Sequence, residues 1–338
     1  MSNFYRKLAQ AVLIAGGIIA SAPSVWATSF TINSGETAGR QALVDGETGL
    51  IISGGFINSA TQGIGTSNGM SIGITITNNG TITSVNDAIE GPGGDNTGAI
   101  ATVINNGTIT TTGTGDADAV NFGGATAPTL ILTNNGTILT TGIVGAEAVL
   151  VGGENNTIIN NGTIATRGTT GDAIPFSCDN CGTITNNGTI ITRGRGAHGI
   201  FYLNPTGTQV SLTINNTGSI IVEGQTSNGI LLNNEADVIV NNSGLIKVSD
   251  STEEAIRGGS GVDTLNLLSG SQIIGIIDLN GDTDIVNISG ANNSSTLTLT
   301  DVETINLLNG NGLLVGDVVT MVDPTGQSVS SAVLGTTT

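Results

Sequence analysis

The sequence predicts an all-β chain wound into a right-handed parallel β-helix, a solenoid of about 26 residues per coil. Three observations carry that expectation. The motif Asn-Asn-Gly-Thr-Ile recurs with its glycine at Gly80, Gly107, Gly136, Gly162 and Gly188, and looser copies follow at Gly218 and Gly244. The intervals of 27, 29, 26, 26, 30 and 26 residues are those of a stacked repeat. A second column keeps step with the first: Asp87, Asp118, Glu147, Asp172, His198, Asn228 and Glu254, each followed by Ala or Gly and then Ile or Val. Between the columns, apolar and polar residues alternate with a period of two and no helical period is sustained.

Taken in chain order, residues 1–27 read as a secretory signal peptide: Arg6 and Lys7, an apolar run from Leu8 to Ala22, then the small-x-small site Val25-Trp26-Ala27. The rival reading is a short membrane anchor, but the run falls below the roughly 20 residues that span a bilayer. Removal of this segment leaves 6 basic against 26 acidic residues, a charge of −20. That charge argues against nucleic acid or anionic lipid as a partner and for solubility of a β-rich surface. The chain is 38% apolar and only 3% aromatic, which suits a continuous core of narrow cross-section.

Residues 28–323 read as the β-helical domain, with main coils over about 60–260 and shorter terminal coils over about 261–323. Strands are expected at 72–77, 130–133 and 211–215, where β-branched residues alternate with polar ones. In the motif, Asn-Gly reads as a turn tolerating positive φ, after which Thr faces solvent and Ile faces inward. A hairpin would use the same dipeptide. Two columns locked in phase favour one full coil per repeat, with stacked ladders of Asn, Thr and Ile. Coils about 4.8 Å apart would make the stretch from Gly80 to Gly270 about 35 Å long.

Cys178 and Cys181, in Cys-Asp-Asn-Cys, are expected to form a local disulfide in an exported chain. After Ile256 the rhythm shortens: Asn266, Asn287 and Asn306 lie 21 and 19 residues apart and read as a stacked asparagine column. Residues 324–338 read as a truncated linker.

Gly261-Val262-Asp263-Thr264-Leu265-Asn266-Leu267, Asp301-Val302-Glu303-Thr304-Ile305-Asn306-Leu307 and the terminal Val322-Asp323-Pro324-Thr325-Gly326, placed after the Asn-Gly-Thr-Ile coils, carry a resemblance. In repeat style and motif order the chain resembles the autotransporter passenger domains of Gram-negative bacteria over residues 28–326. The resemblance implies delivery to the cell surface through an outer-membrane β-barrel. The last 60 residues hold no Trp, Tyr or Phe for a barrel's aromatic girdles. The expectation is therefore a separately encoded translocator barrel, a truncated gene, or residence in the periplasm. The resemblance also rationalises a disulfide that closes so little chain, since a tight loop does not obstruct passage through a pore.

Several constellations bear on chemistry. Stacked once per coil, the carboxylates of the second column would lie about 5 Å apart and could bind a divalent cation or act as an acid/base pair. The plainer reading is that they begin a solvated turn. Gly258-Gly259-Ser260-Gly261-Val262-Asp263-Thr264-Leu265 matches a calcium-binding nonapeptide, without the tandem copy that chemistry needs. His198 is the single histidine, so neither a histidine-based metal cluster nor a Ser-His-Asp triad can be built. The Thr-Ile-Thr triplets of an ice-binding array survive in only two coils, and the repeated Asn-Gly-Thr sequon is accounted for by the turn.

The reading is a stalk or adhesin that binds a host or environmental glycan or protein weakly and multivalently, with no enzyme activity, catalytic residue, metal or cofactor. The alternatives are a glycan-active lyase or hydrolase using Asp172 with Arg193 or Arg195, and a nonfunctional gene product. Specificity is expected where the rhythm breaks, at residues 175–181 and 198–205.

Overall fold

The computed structural model describes residues 29–93, 95–124, 126–178, 180–203, 211–233, 237–289, 296–308, 318–322 and 328–333. The segment read as a signal peptide and residues 323–326 of the tail lie outside them. Among the described residues there is no helix, and the strands form three sheets of 12, 10 and 13 members. Each coil contributes one strand to each sheet in turn, as Ile100–Asn105, Thr108–Thr111 and Val120–Phe122 do. Successive coils pair strand on strand in parallel, as these three strands do with their counterparts one coil before and after, which makes the chain a three-sided β-solenoid.

The motif isoleucine generates one wall of the core. Ile57, Ile82, Ile109, Ile138, Ile164, Ile190, Ile220, Ile246 and Ile273 stand in register and are buried. The threonine before each motif isoleucine from Ile82 to Ile190 is half-buried on the outer face. A β-branched column suits this geometry, because identical side chains repeat the same rotamer and pack without gaps along the stack.

The motif asparagines build two ladders. The first of each pair, Asn78, Asn105, Asn134, Asn160, Asn186, Asn216 and Asn242, is fully buried. Each Nδ2 donates to the Oδ1 of the next coil at 2.7–2.8 Å, and Asn242 ends the row on Ser271 Oγ at 2.7 Å. The second, exposed asparagines run the other way: Asn106 donates to Asn79, Asn135 to Asn106, Asn161 to Asn135 and Asn187 to Asn161. The asparagine column expected in the shorter coils is present and starts two coils earlier, linking Asn215, Asn241, Asn266, Asn287 and Asn306.

The glycine of the motif serves a different purpose from the one its sequence implies. Gly80, Gly107, Gly136, Gly162, Gly188, Gly218 and Gly244 are not among the residues with positive φ. A Cβ on Gly107 would press into the carbonyl oxygen of Gly80, one on Gly136 into Gly107, and so on to Gly244 against Gly218. Close approach of successive coils at this corner, not turn conformation, demands the missing side chain.

The solenoid also begins earlier than the main coils. Phe30–Ile32 pairs with Thr48–Ile51 to form a first short coil, whose turns use Gly35 and Gly46 at φ 80 and 79. These turns lack the Asn-Asn-Gly signature and leave no periodic trace. At the other end, Ser328–Val333, within the stretch read as a linker, pairs antiparallel with Val318–Val322.

A sharp asymmetry between the asparagines follows. Asn160→Ala strips the buried Asn186 Oδ1 of its Asn160 donor and leaves Asn134 Nδ2 with only the Gly136 and Thr163 carbonyls at 3.3 and 3.1 Å, a loss on the order of 3 kcal/mol. Asn161→Ala, on the surface, is expected to cost no more than about 0.5 kcal/mol. Denaturant midpoints of the two variants check the difference.

Candidate functional site

The second column sits at the entry to the third sheet, and its polar side chains point along the stack. Asp87 Oδ1 accepts the N–H of Asp118 at 3.0 Å, and Asp118 Oδ1 accepts that of Glu147 at 2.8 Å. Asp172 Oδ1 accepts the N–H of His198 at 2.6 Å, and His198 Nδ1 accepts that of Asn228 at 3.0 Å. Asn228 Nδ2 then donates to Glu254 Oε2 at 2.9 Å. The residues of this column share acceptor capacity, which satisfies main-chain amides at a corner that the sheets leave unpaired. A solvated turn is therefore not what they form: Asp118, Asp172 and Asn228 are buried.

Stacking these groups out of water perturbs them. Burial, reinforced by the neighbouring Glu147, pushes the Asp118 carboxyl up to about 10, so it keeps its proton at neutral pH. Burial also raises Glu147 and Asp172 to about 7, and lowers the His198 imidazole to about 4. Asn121 Nδ2 bridges Asp87 Oδ2 and Asp118 Oδ2 at 3.0 and 2.9 Å.

A groove of about 690 Å³ opens over this row. Asp116, Asp118 and Glu147 line one side, and Leu150, Pro175 and Phe201 supply apolar surface. Carboxylate oxygens of Asp116, Asp118 and Glu147 lie within 4.8 Å of one another. Asp116, outside the alternating column, carried no periodic signal in the sequence. Pro175 and Phe201 do come from the two stretches where the rhythm breaks, while Asp179, Asn204 and Pro205 lie outside the described residues.

Other sequence-derived candidates are dispersed. Arg193 Nε pairs with Glu223 Oε2 at 2.9 Å, and among the described residues neither Arg193 nor Arg195 forms an ion pair with Asp172. The carboxylate–arginine pair expected of a glycan-active site is not assembled: Arg193 and Arg195 are exposed in the turn that follows Thr189–Thr192. Asp263 of the nonapeptide-like stretch accepts N–H groups from Val238 and Gly259, so both of its oxygens are committed. Cys178 and Cys181 are bonded, with Cα atoms 5.4 Å apart, and Tyr202 Oη donates to the Cys178 carbonyl at 3.3 Å. No protein-family model, curated protein or solved structure matches the chain.

Proposed function

We propose that the chain is an exported rod of the autotransporter-passenger kind, a stalk that adheres weakly and multivalently to glycan or protein and is delivered through an outer-membrane β-barrel. The observation that carries this reading is mechanical continuity. Buried asparagine bonds run without interruption from Asn78 to Ser271, so load applied at one end is shared by every coil.

The adhesive surface differs from a display of motif asparagines. The first asparagine of each pair is buried and the second already bonds its neighbour, which leaves the outward threonines and the groove as the groups able to meet a partner. One weak contact per coil sums along a rod only for a ligand that is itself repetitive. The exported chain is therefore expected to retain beads densely coated with polysaccharide and to show no measurable affinity for the matching monosaccharide. Equal affinity for both forms would defeat the multivalent reading.

A second reading, glycan hydrolysis in the groove, is favoured by the paired Asp118 and Glu147 carboxyls that line it, both raised chiefly by burial. Against it, both Asp118 oxygens are held, one by the Glu147 N–H and one by Asn121. Release of reducing ends from polysaccharide, lost in Glu147→Gln, would replace the adhesin reading with this one.

A further inference from the structure

Beyond Arg257 the sequence contains no Lys, Arg or His, yet its coils carry carboxylates at repeated positions. The strand register stacks Asp263, Asp284 and Glu303 above Val238, because the residue following each pairs with its counterpart. Each carboxylate accepts the N–H of the residue one coil earlier: Asp263 from Val238 at 3.1 Å, Asp284 from Asp263 at 2.7 Å and Glu303 from Asp284 at 2.7 Å.

The second oxygen separates these residues. Asp263 Oδ2 accepts the N–H of Gly259, four residues back, at 3.2 Å. The equivalent N–H for Asp284 belongs to Asn280, which donates to Asp278 Oδ1 instead. Asp284 is fully buried, and its Oδ2 has no hydrogen-bond partner. An orphaned carboxylate oxygen in the interior is costly unless a proton or a cation meets it.

Asp282 and Asp301 lie in the turns two residues before Asp284 and Glu303, one coil apart, and the charges of both bear on Asp284. In the preceding coil this position is Gly261. Asp282 and Asp301 adopt left-handed backbone at φ 102 and 49, as does Asn280 at φ 62. Burial, and then the charges of Glu303, Asp282 and Asp301, push the Asp284 carboxyl up to about 7. The four acids make a two-by-two array across adjacent coils. Asp282 is exposed and Asp301 half-buried.

We infer that a divalent cation of the calcium class binds between these two coils, held by Asp284 Oδ2 with the carboxylates of Asp282 and Asp301 and completed by water. Oxygen-only donors without His or Cys select a hard ion, and Ca²⁺ tolerates the irregular, partly hydrated shell that such an array offers better than Mg²⁺ does. The ion would fasten the narrow terminal coils and supply the positive charge that this part of the chain lacks. The groove at Asp116, Asp118 and Glu147 brings carboxylates closer together but contains no buried oxygen without a partner, and it serves as the internal comparison.

The test is calorimetric titration of the exported chain with CaCl₂ at pH 7.5, paired with thermal unfolding in Ca²⁺, in Mg²⁺ at equal ionic strength, and in EDTA. One saturable Ca²⁺ site is expected, with an unfolding midpoint that rises with Ca²⁺ above the Mg²⁺ control. Asp284→Asn and the exposed Asp282→Asn should each abolish both responses, and Glu147→Gln should retain them. In EDTA, Asp284→Asn is expected to unfold no earlier than the parent, since it removes the orphaned carboxylate. A parent chain that responds no more to Ca²⁺ than to Mg²⁺ overturns the site. So does a response that survives either aspartate substitution or disappears in Glu147→Gln.

Discussion

Gly162→Ala is expected to be among the most damaging single-methyl changes in this protein. The added Cβ would meet the carbonyl oxygen and nitrogen of Gly136 and the carbonyl carbon of Asn135, all main-chain atoms of the coil below. A flexible side chain could swing away; a backbone locked by parallel pairing on three sides cannot. Relief requires the two coils to part, which strains the Gly162 N–H bond to the Asn134 carbonyl and the buried Asn134–Asn160 bond. Overpacking of this kind costs on the order of 3 kcal/mol, and the coupled ladder places the expectation at or above that figure. Gly115→Ala supplies the control: nothing lies within 4 Å of its Cβ and its φ is not positive, so a change within about 0.5 kcal/mol is expected. Denaturant unfolding of the pair measures the contrast, and equal midpoints would show that the coils are not in close contact at this corner.

Stability should fall as pH rises through neutrality. Folding raises Asp172 from 3.8 to about 7 and Glu147 from 4.5 to about 7, and raises Asp118 further, each chiefly by burial. Above about pH 4 the folded chain therefore holds protons that the unfolded chain has released. The stabilisation is fully present below the unfolded values and is lost as pH climbs through 7. His198, lowered from 6.5 to about 4, acts in the opposite sense: its share is intact above 6.5 and lost as pH falls through 4. These carboxyls, together with Asp263 and Asp284, which burial also raises to about 7, outweigh one imidazole. The Asp172 shift alone sets a ceiling of about 4 kcal/mol, and a net loss on the order of 3 kcal/mol between pH 5 and pH 8 is expected. Asp172→Asn keeps an acceptor for the His198 N–H while removing one titration, so it should make the profile less steep and stabilise the protein at pH 8. A urea midpoint that increases from pH 5 to pH 8 would contradict this account.

The periodic part of the fold was legible because each coil repeats the same contacts. A buried isoleucine column, a second column in phase and a row of asparagines leave a 26-residue signal that no hairpin arrangement shares. The first short coil around Phe30 left none, since its turns use Ser-Gly in place of Asn-Asn-Gly. The motif glycine was found for a turn-based reason and is needed for a stacking one: sequence reports that a side chain is missing, not which neighbour excludes it. The acidic column was visible as spacing, but its burial was not. Whether a carboxylate faces water or caps an amide in the next coil depends on the turn between the second and third sheets. Asp116 and Asp284 mark the same limit, since each gains its setting from a residue in a neighbouring coil.

The two-residue step at the motif has a consequence for how such a gene can change length. From Asn78 to Thr81 and onward to Asn242 and Leu245, the first sheet passes to the second through an identical corner, and the glycine contact forbids inserting anything there. The other two corners vary in length: residues 85–88 and 112–119 separate strands of the second and third sheets, and residues 67–72 and 152–155 separate strands of the third and the next first. In-frame duplication can therefore add whole coils, and smaller insertions are confined to the two variable corners of the rod, while the corner at the motif stays fixed.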